Sequence, residues 1–136
     1  ERIISNLKAG YPGLTRWQEE TKERAGFRRY SETWLGRRRY LPGIQSQDWG
    51  KKSFAERCAL NTPIQGTAAD ILKLALGRII TGLPKRPWLR PLLQIHDELV
   101  FELPAARVPE AVSFLRSCME QQPFPDRFRV ESSVNA

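Results

Sequence analysis

The stretch Leu92-Leu93-Gln94-Ile95-His96-Asp97-Glu98-Leu99-Val100-Phe101-Glu102-Leu103 sets two apolar-rich segments on either side of a His-Asp-Glu joint. Leu92 to His96 and Leu99 to Leu103 each have the length of a short strand, and almost no connector separates them. They read as an antiparallel hairpin with acids at its tip. Downstream, Val108, Ala111, Val112, Leu115, Cys118 and Met119 recur at the spacing of one helix face. Phe128 to Val134 alternates well enough to read as a last strand. Upstream, Ile64, Ala68, Ile71, Leu72, Ala75, Leu76 and Ile79 share one broad apolar face, which predicts a helix from about Ile64 to Ile80 that Gly82 and Pro84 end. Ser53, with Glu56 three positions on, reads as a capping box opening a short helix through Leu60, and Pro63 interrupts the pattern.

The first part of the chain repeats this alternation. Leu14, Trp17, Thr21 and Ala25 predict an amphipathic helix from Pro12 to Ala25, with Gly26 as its C-cap. Arg28 to Trp34 and Arg38 to Leu41 suit strands of a second hairpin turning at Gly36, and Gly43 to Lys52 reads as a loop. The order helix, hairpin, helix, hairpin, helix, strand predicts an α+β fold in which antiparallel hairpins pack against amphipathic helices. With 136 residues we expect one domain: residues 1–52 a helix plus basic hairpin, 53–82 helical, and 89–136 a hairpin, a helix and the last strand.

Composition narrows the class further. Forty per cent of residues are hydrophobic and 27% charged, which excludes collagen-like, low-complexity and mostly disordered chains. Cys58 and Cys118 stand apart with no CxxC pair, so they read as buried free thiols in a reducing compartment rather than a disulfide or zinc framework. No apolar run reaches the ~18 residues of a membrane span, and we expect a cytoplasmic protein with no membrane partner. The start at Glu1 instead of a Met suggests a longer parent.

The net charge of +7 is uneven: residues 1–57 carry thirteen basic and seven acidic side chains, residues 58–136 nine and eight. Lys22, Arg24, Arg28, Arg29, Arg37, Arg38 and Arg39 are interleaved with Phe27, Tyr30, Trp34 and Tyr40. Guanidinium groups give bidentate contacts to phosphate oxygens, and nucleic acid is therefore the favoured partner, a solvated basic face the alternative. At the other end, adjacent carboxylates on a tight turn serve either water or a cation. Such hard oxygen donors suit magnesium, which takes one or two carboxylates and completes its shell with water and substrate phosphates. Asp97 is the leading ligand, and an acidic turn without a ligand is the alternative.

Three blocks in order, Gly36-Arg37-Arg38-Arg39-Tyr40-Leu41-Pro42, the run Ala55 to Lys73 containing Asn61-Thr62-Pro63-Ile64-Gln65-Gly66-Thr67, and His96-Asp97-Glu98, closely resemble the C-terminal part of the polymerase domain of family A DNA polymerases, the bacterial DNA polymerase I type. The resemblance runs from about Tyr11 to Val130. It implies that His96, Asp97 and Glu98 form the palm's catalytic motif, with Asp97 and Glu98 at the metals and His96 near the primer end. It further implies that Arg57, Asn61 and Gln65 contact primer and template near the terminal base pair, and that Arg37, Arg38 and Arg39 form a basic hairpin beside the duplex. Arg57 and Asn61 are four apart, as on one helix face, while Pro63 leaves the register of Gln65 open. An amide at Gln65 or Asn61 can bond the minor-groove acceptors that every correct pair presents. Asn61 could instead cap a helix, and Arg57 could pair with Glu56 or Asp70.

The implied reaction is template-directed nucleotidyl transfer in DNA replication and repair, with Mg2+ as cofactor and a primer-template duplex and deoxynucleoside triphosphates as partners. The family's other metal-binding Asp strand and its nucleotide-binding fingers helix have no match here. We therefore expect a chain that needs the N-terminal portion of the polymerase and does not polymerise alone, nucleoid-associated if bacterial. The competing expectation is a standalone nucleic-acid-binding module without catalysis; a metal-dependent hydrolase is a weaker third reading.

Overall fold

The computed structural model describes residues 6, 8–121, 123, 124, 126 and 129–134. It forms two compact units, Glu1–Ala68 and Ala69–Ala136. Together they contain helices and two separate two-stranded antiparallel sheets, an α+β composition.

The first unit holds α1 (Pro12–Arg28), β1 (Tyr30–Glu32), β2 (Arg38–Tyr40) and α2 (Trp49–Asn61), the last running into a single π turn over Thr62–Gly66. Helix α1 is longer than the periodicity predicts. Gly26 lies inside it, and Arg29 is the cap, with φ of 65° and its N–H donating to the Ala25 carbonyl at 2.9 Å. Strands β1 and β2 pair Tyr30 with Tyr40 and Glu32 with Arg38, turning at Gly36, whose φ of 84° requires glycine's freedom. Helix α2 begins four residues earlier than Ser53, because Asp48 accepts a bond from the Lys51 N–H at 3.1 Å and caps it. The expected capping box at Ser53 and Glu56 is thus replaced, and much of the expected loop from Gly43 to Lys52 is helical. Ala25, Leu41, Ile44, Ala55, Cys58 and Ala59 form this unit's core.

Pro63 does not break the helix, and the reason lies in hydrogen bonding. A proline has no N–H for the carbonyl four residues back and its ring crowds that carbonyl. Here that group is the Ala59 oxygen, and the hydroxyl of Ser31 on β1 donates to it at 2.9 Å. The widened turn gives the ring room. Thr62 Oγ1 bonds the Cys58 carbonyl at 2.7 Å and Thr67 Oγ1 the Pro63 carbonyl at 2.6 Å, so the loosened turn keeps its acceptors occupied.

In the second unit, α3 (Thr67–Gly82) is followed by a 3-10 turn at Leu83–Lys85, β3 (Arg90–Ile95), β4 (Glu98–Glu102), a 3-10 turn at Ala105–Arg107 and α4 (Val108–Glu120). The predicted apolar face buries Ile71, Ala75 and Ile79, whereas Ile64 sits exposed in the π turn outside α3. Arg78 donates to the carbonyls of Cys118 (3.0 Å) and Gln121, covering the C-terminal end of α4. Gly82 has the Phe114 ring where a Cβ would stand, and the Arg86 guanidinium lies 3.8 Å from that ring's centre. Residues 129–134 form no strand, contrary to the alternation read there, and Phe128 lies outside the described residues. Ser132 instead donates to the Glu120 carboxylate through its hydroxyl (2.7 Å) and its N–H (3.3 Å).

Ser31→Ala should strand the Ala59 carbonyl and cost about 1–3 kcal/mol in urea denaturation. Pro63→Ala restores an N–H at that position, so the double variant should recover much of the loss. Equal losses in the single and double variants would refute the account. The bonds from Ser132 hold the Glu120 carboxyl below the usual carboxylate range. Because the folded value is lowered, this tether should be complete above the ordinary carboxylate pKa and fade as pH falls through the folded value. Amide exchange at Ser132, compared at pH 6 and at strongly acidic pH, reads it directly.

Candidate nucleic-acid interface

The hairpin β1–β2 and the α2–π turn region are stitched together within the first unit. Besides Ser31 to Ala59, the Trp34 N–H donates to Thr67 Oγ1 at 3.0 Å and Arg37 Nη2 to the Gly66 carbonyl at 3.1 Å. A Cβ on Gly66 would lie 2.8 Å from the Thr33 methyl, so the close approach of the hairpin turn demands glycine there. Within that turn, the Arg37 N–H bonds Thr33 Oγ1 at 3.1 Å and the Thr33 N–H bonds the Arg37 carbonyl at 2.9 Å.

This scaffold presents Arg57, Asn61 and Gln65, all exposed, along one continuous helical path. Asn61 makes no side-chain capping bond, which removes its alternative role as a cap. Glu56 pairs with Lys22 at 3.3 Å and not with Arg57. The three consecutive arginines do not share one fate. Arg37 binds the Gly66 carbonyl, and Arg38 faces Glu32 at 3.7 Å while lying 4.7 Å over the Tyr30 ring. Arg39 is exposed and has no carboxylate partner among the described residues. Arg29, already part of the basic stretch in the sequence, and Lys51, which nothing in the sequence singled out, share that state. A non-glycine residue in the left-handed region at Arg29 is a signal that only coordinates reveal.

In the second unit, His96 and Asp97 are the two central residues of the β3–β4 turn, and Ile95 pairs with Glu98, the first residue of β4. All three of the His-Asp-Glu residues are exposed. His96 adopts φ of 54°, a conformation glycine usually takes, and Gln94 Nε2 donates to its carbonyl at 3.1 Å. The turn thus aims two neighbouring carboxylates outward. Among the described residues no three His, Cys, Asp or Glu side chains gather into a closed metal site, so Asp97 and Glu98 offer the one or two hard oxygens of an open magnesium site at most.

The sequence model of DNA polymerase family A matches residues 1–136. The chain belongs to DNA polymerase family A. It is 41% identical over 119 residues to the thermostable DNA polymerase I of Thermus thermophilus and 42% over 120 residues to the DNA polymerase I of Geobacillus stearothermophilus. Each alignment covers 88% of this chain and 14% of the relative, so the chain spans about one-seventh of those polymerases' length. A solved structure, the POL domain of Pol1 from M. smegmatis in complex with DNA primer-template and dNTP, resembles it with a TM-score of 0.80 and 35% identity, over 88% of this chain and 22% of that one.

His96→Gly should relieve the left-handed conformation and stabilise the β3–β4 hairpin by roughly 1 kcal/mol. Slower amide exchange in both strands would record the gain. Gly66→Ala should destabilise the first unit by a comparable or larger amount, because the Thr33 methyl is held by the hairpin turn and has little room to retreat.

Proposed function

We propose that this family A chain acts as part of a DNA-directed DNA polymerase, contributing the carboxylate turn of the palm and a primer-template grip. The observation that carries the reading is the family match over the whole chain combined with the exposed His96-Asp97-Glu98 tip. Asp97 would hold the catalytic Mg2+ with Glu98 beside it, and His96 would lie near the primer end. When bound, the metal neutralises nucleotide phosphate charge and favours attack by the primer 3′ hydroxyl. The chain's own residues do the positioning. Arg57 takes a backbone phosphate, and Asn61 and Gln65 donate to minor-groove acceptors at the terminal pair, testing pair shape without reading sequence. The arginine hairpin, Arg37 with Arg38 and Arg39, flanks the duplex.

The residues outside this chain complete the enzyme. A two-stranded ribbon is marginal alone, and here Leu92, Leu93, Ile95 and Val100 remain exposed on it. Further palm strands from the N-terminal portion of the polymerase would cover them, along with supplying a second metal-binding carboxylate and the deoxynucleoside triphosphate site. Residues 1–136 therefore form one C-terminal part of the polymerase domain, inactive alone, and work in the cytoplasm, on nucleoid DNA if the source is bacterial. No helix of the described residues is long and apolar enough to cross a membrane.

In the complete polymerase, Asp97→Ala should reduce primer extension by at least about 1,000-fold, as expected when a metal ligand of a phosphoryl-transfer centre is lost. Duplex affinity should change less than threefold. Extension that survives the substitution would leave the non-catalytic DNA-binding reading in its place. Gln65→Ala should lower extension from mismatched and matched termini unequally, read by single-turnover kinetics.

A further inference from the structure

We propose that an open cavity in the first unit, at the base of the basic hairpin, is a subsite for an unpaired stretch of DNA single strand. The cavity measures about 760 Å³ and is lined in part by Arg29, Arg39, Lys51, Tyr40, Phe54 and Gln45. That volume falls within the ~300–1,000 Å³ of ordinary ligand sites. Its wall carries three cations and no carboxylate. None of the three has an ion-pair partner among the described residues, whereas Lys22, Arg28 and Arg38 are each paired with a glutamate. Three uncompensated cations gathered on one wall favour an anionic occupant.

The aromatic rings narrow the class. Tyr40 is 71% and Phe54 58% exposed, and both large rings stand on the wall of this cavity. Phosphate alone has no use for them. Bases of a single strand present π faces, whereas those of a duplex are stacked inside it, so rings and guanidinium groups interleaved in one groove fit single-stranded nucleic acid. Backbone strain points the same way. Arg29 is held at φ of 65° by its own N–H bond to Ala25 and by the Leu41 N–H donating to its carbonyl at 2.8 Å. A glycine would satisfy both bonds without strain, and an arginine there places a guanidinium on the cavity wall instead. One base stacks on Tyr40 or Phe54, and its flanking phosphates lie against Arg29, Arg39 and Lys51.

This inference rests on the polymerase reading but fails separately from it. In the complete polymerase, binding is measured to a blunt duplex, a duplex with a 5′ template overhang, and a nicked duplex with a displaced flap. Arg29→Ala/Lys51→Ala should weaken the overhang or flap complex about tenfold, at least fivefold more than the blunt one. The salt slope should fall by roughly 1.4, at about 0.7 per phosphate released. Tyr40→Leu/Phe54→Leu should show the same preference, and Tyr40→Phe/Phe54→Trp should restore binding. Whichever single-stranded substrate shows the loss identifies the strand that occupies the cavity. As a control on folding, 2-aminopurine is stepped along the single strand bound to the unsubstituted enzyme, and its emission should change at one or two positions. Equal losses on all three substrates, or a flat 2-aminopurine profile, would overturn the subsite. If Asp97→Ala still abolishes extension in that case, the polymerase reading stands and only the cavity assignment falls.

Discussion

One carbonyl oxygen organises the first unit. Pro63 leaves Ala59 without its helical N–H, and a buried acceptor with no partner would cost on the order of 1–3 kcal/mol. The hydroxyl of Ser31 fills the gap, and because Ser31 belongs to β1, satisfying the helix fixes the hairpin against it. The remaining ties, from Trp34 to Thr67 and from Arg37 to Gly66, follow once that approach is made, and Gly66 leaves space for it. The helical path through the proline then carries Asn61 and Gln65 outward on the same support as the arginines. A sequence feature that would ordinarily end a helix instead joins the two surfaces on which DNA recognition is proposed.

Electrostatics sorts the basic residues on that support. Cations on the first unit divide into those facing a glutamate, those spent on a backbone carbonyl and those left open. Exposed ion pairs of the first kind are worth little to stability, about 0–1 kcal/mol each, and their main consequence is to cancel positive field locally. Among the cations left open, Arg29, Arg39 and Lys51 gather around one cavity. That cavity sets open cations beside two exposed aromatic rings.

The second unit shows strain used for placement. His96 holds a left-handed conformation in a two-residue turn, and Gln94 steadies its carbonyl. A turn this short leaves Asp97 exposed at the end of the ribbon and Glu98 exposed beside it at the start of β4. The same ribbon keeps apolar side chains in water, consistent with a chain that spans only about one-seventh of its polymerase relatives.

Sequence alone determined the α+β class, both hairpins and the turn at Gly36, and the helices near Ile71–Ile79 and Val108–Met119, because period and turn chemistry are local properties. Boundaries escaped it where rival local caps competed or where a partner distant in sequence decided them. Asp48 out-competed Ser53 as a cap, Arg29 replaced Gly26, and Pro63 passed inside a helix because Ser31, thirty-two residues away, supplied the missing bond. The alternation at 129–134 was real in the sequence yet found no strand to pair with, and Glu120 captured the segment instead. Which of three adjacent arginines stays uncommitted is likewise invisible in a run of identical letters, since it depends on the acids and carbonyls that folding brings within reach.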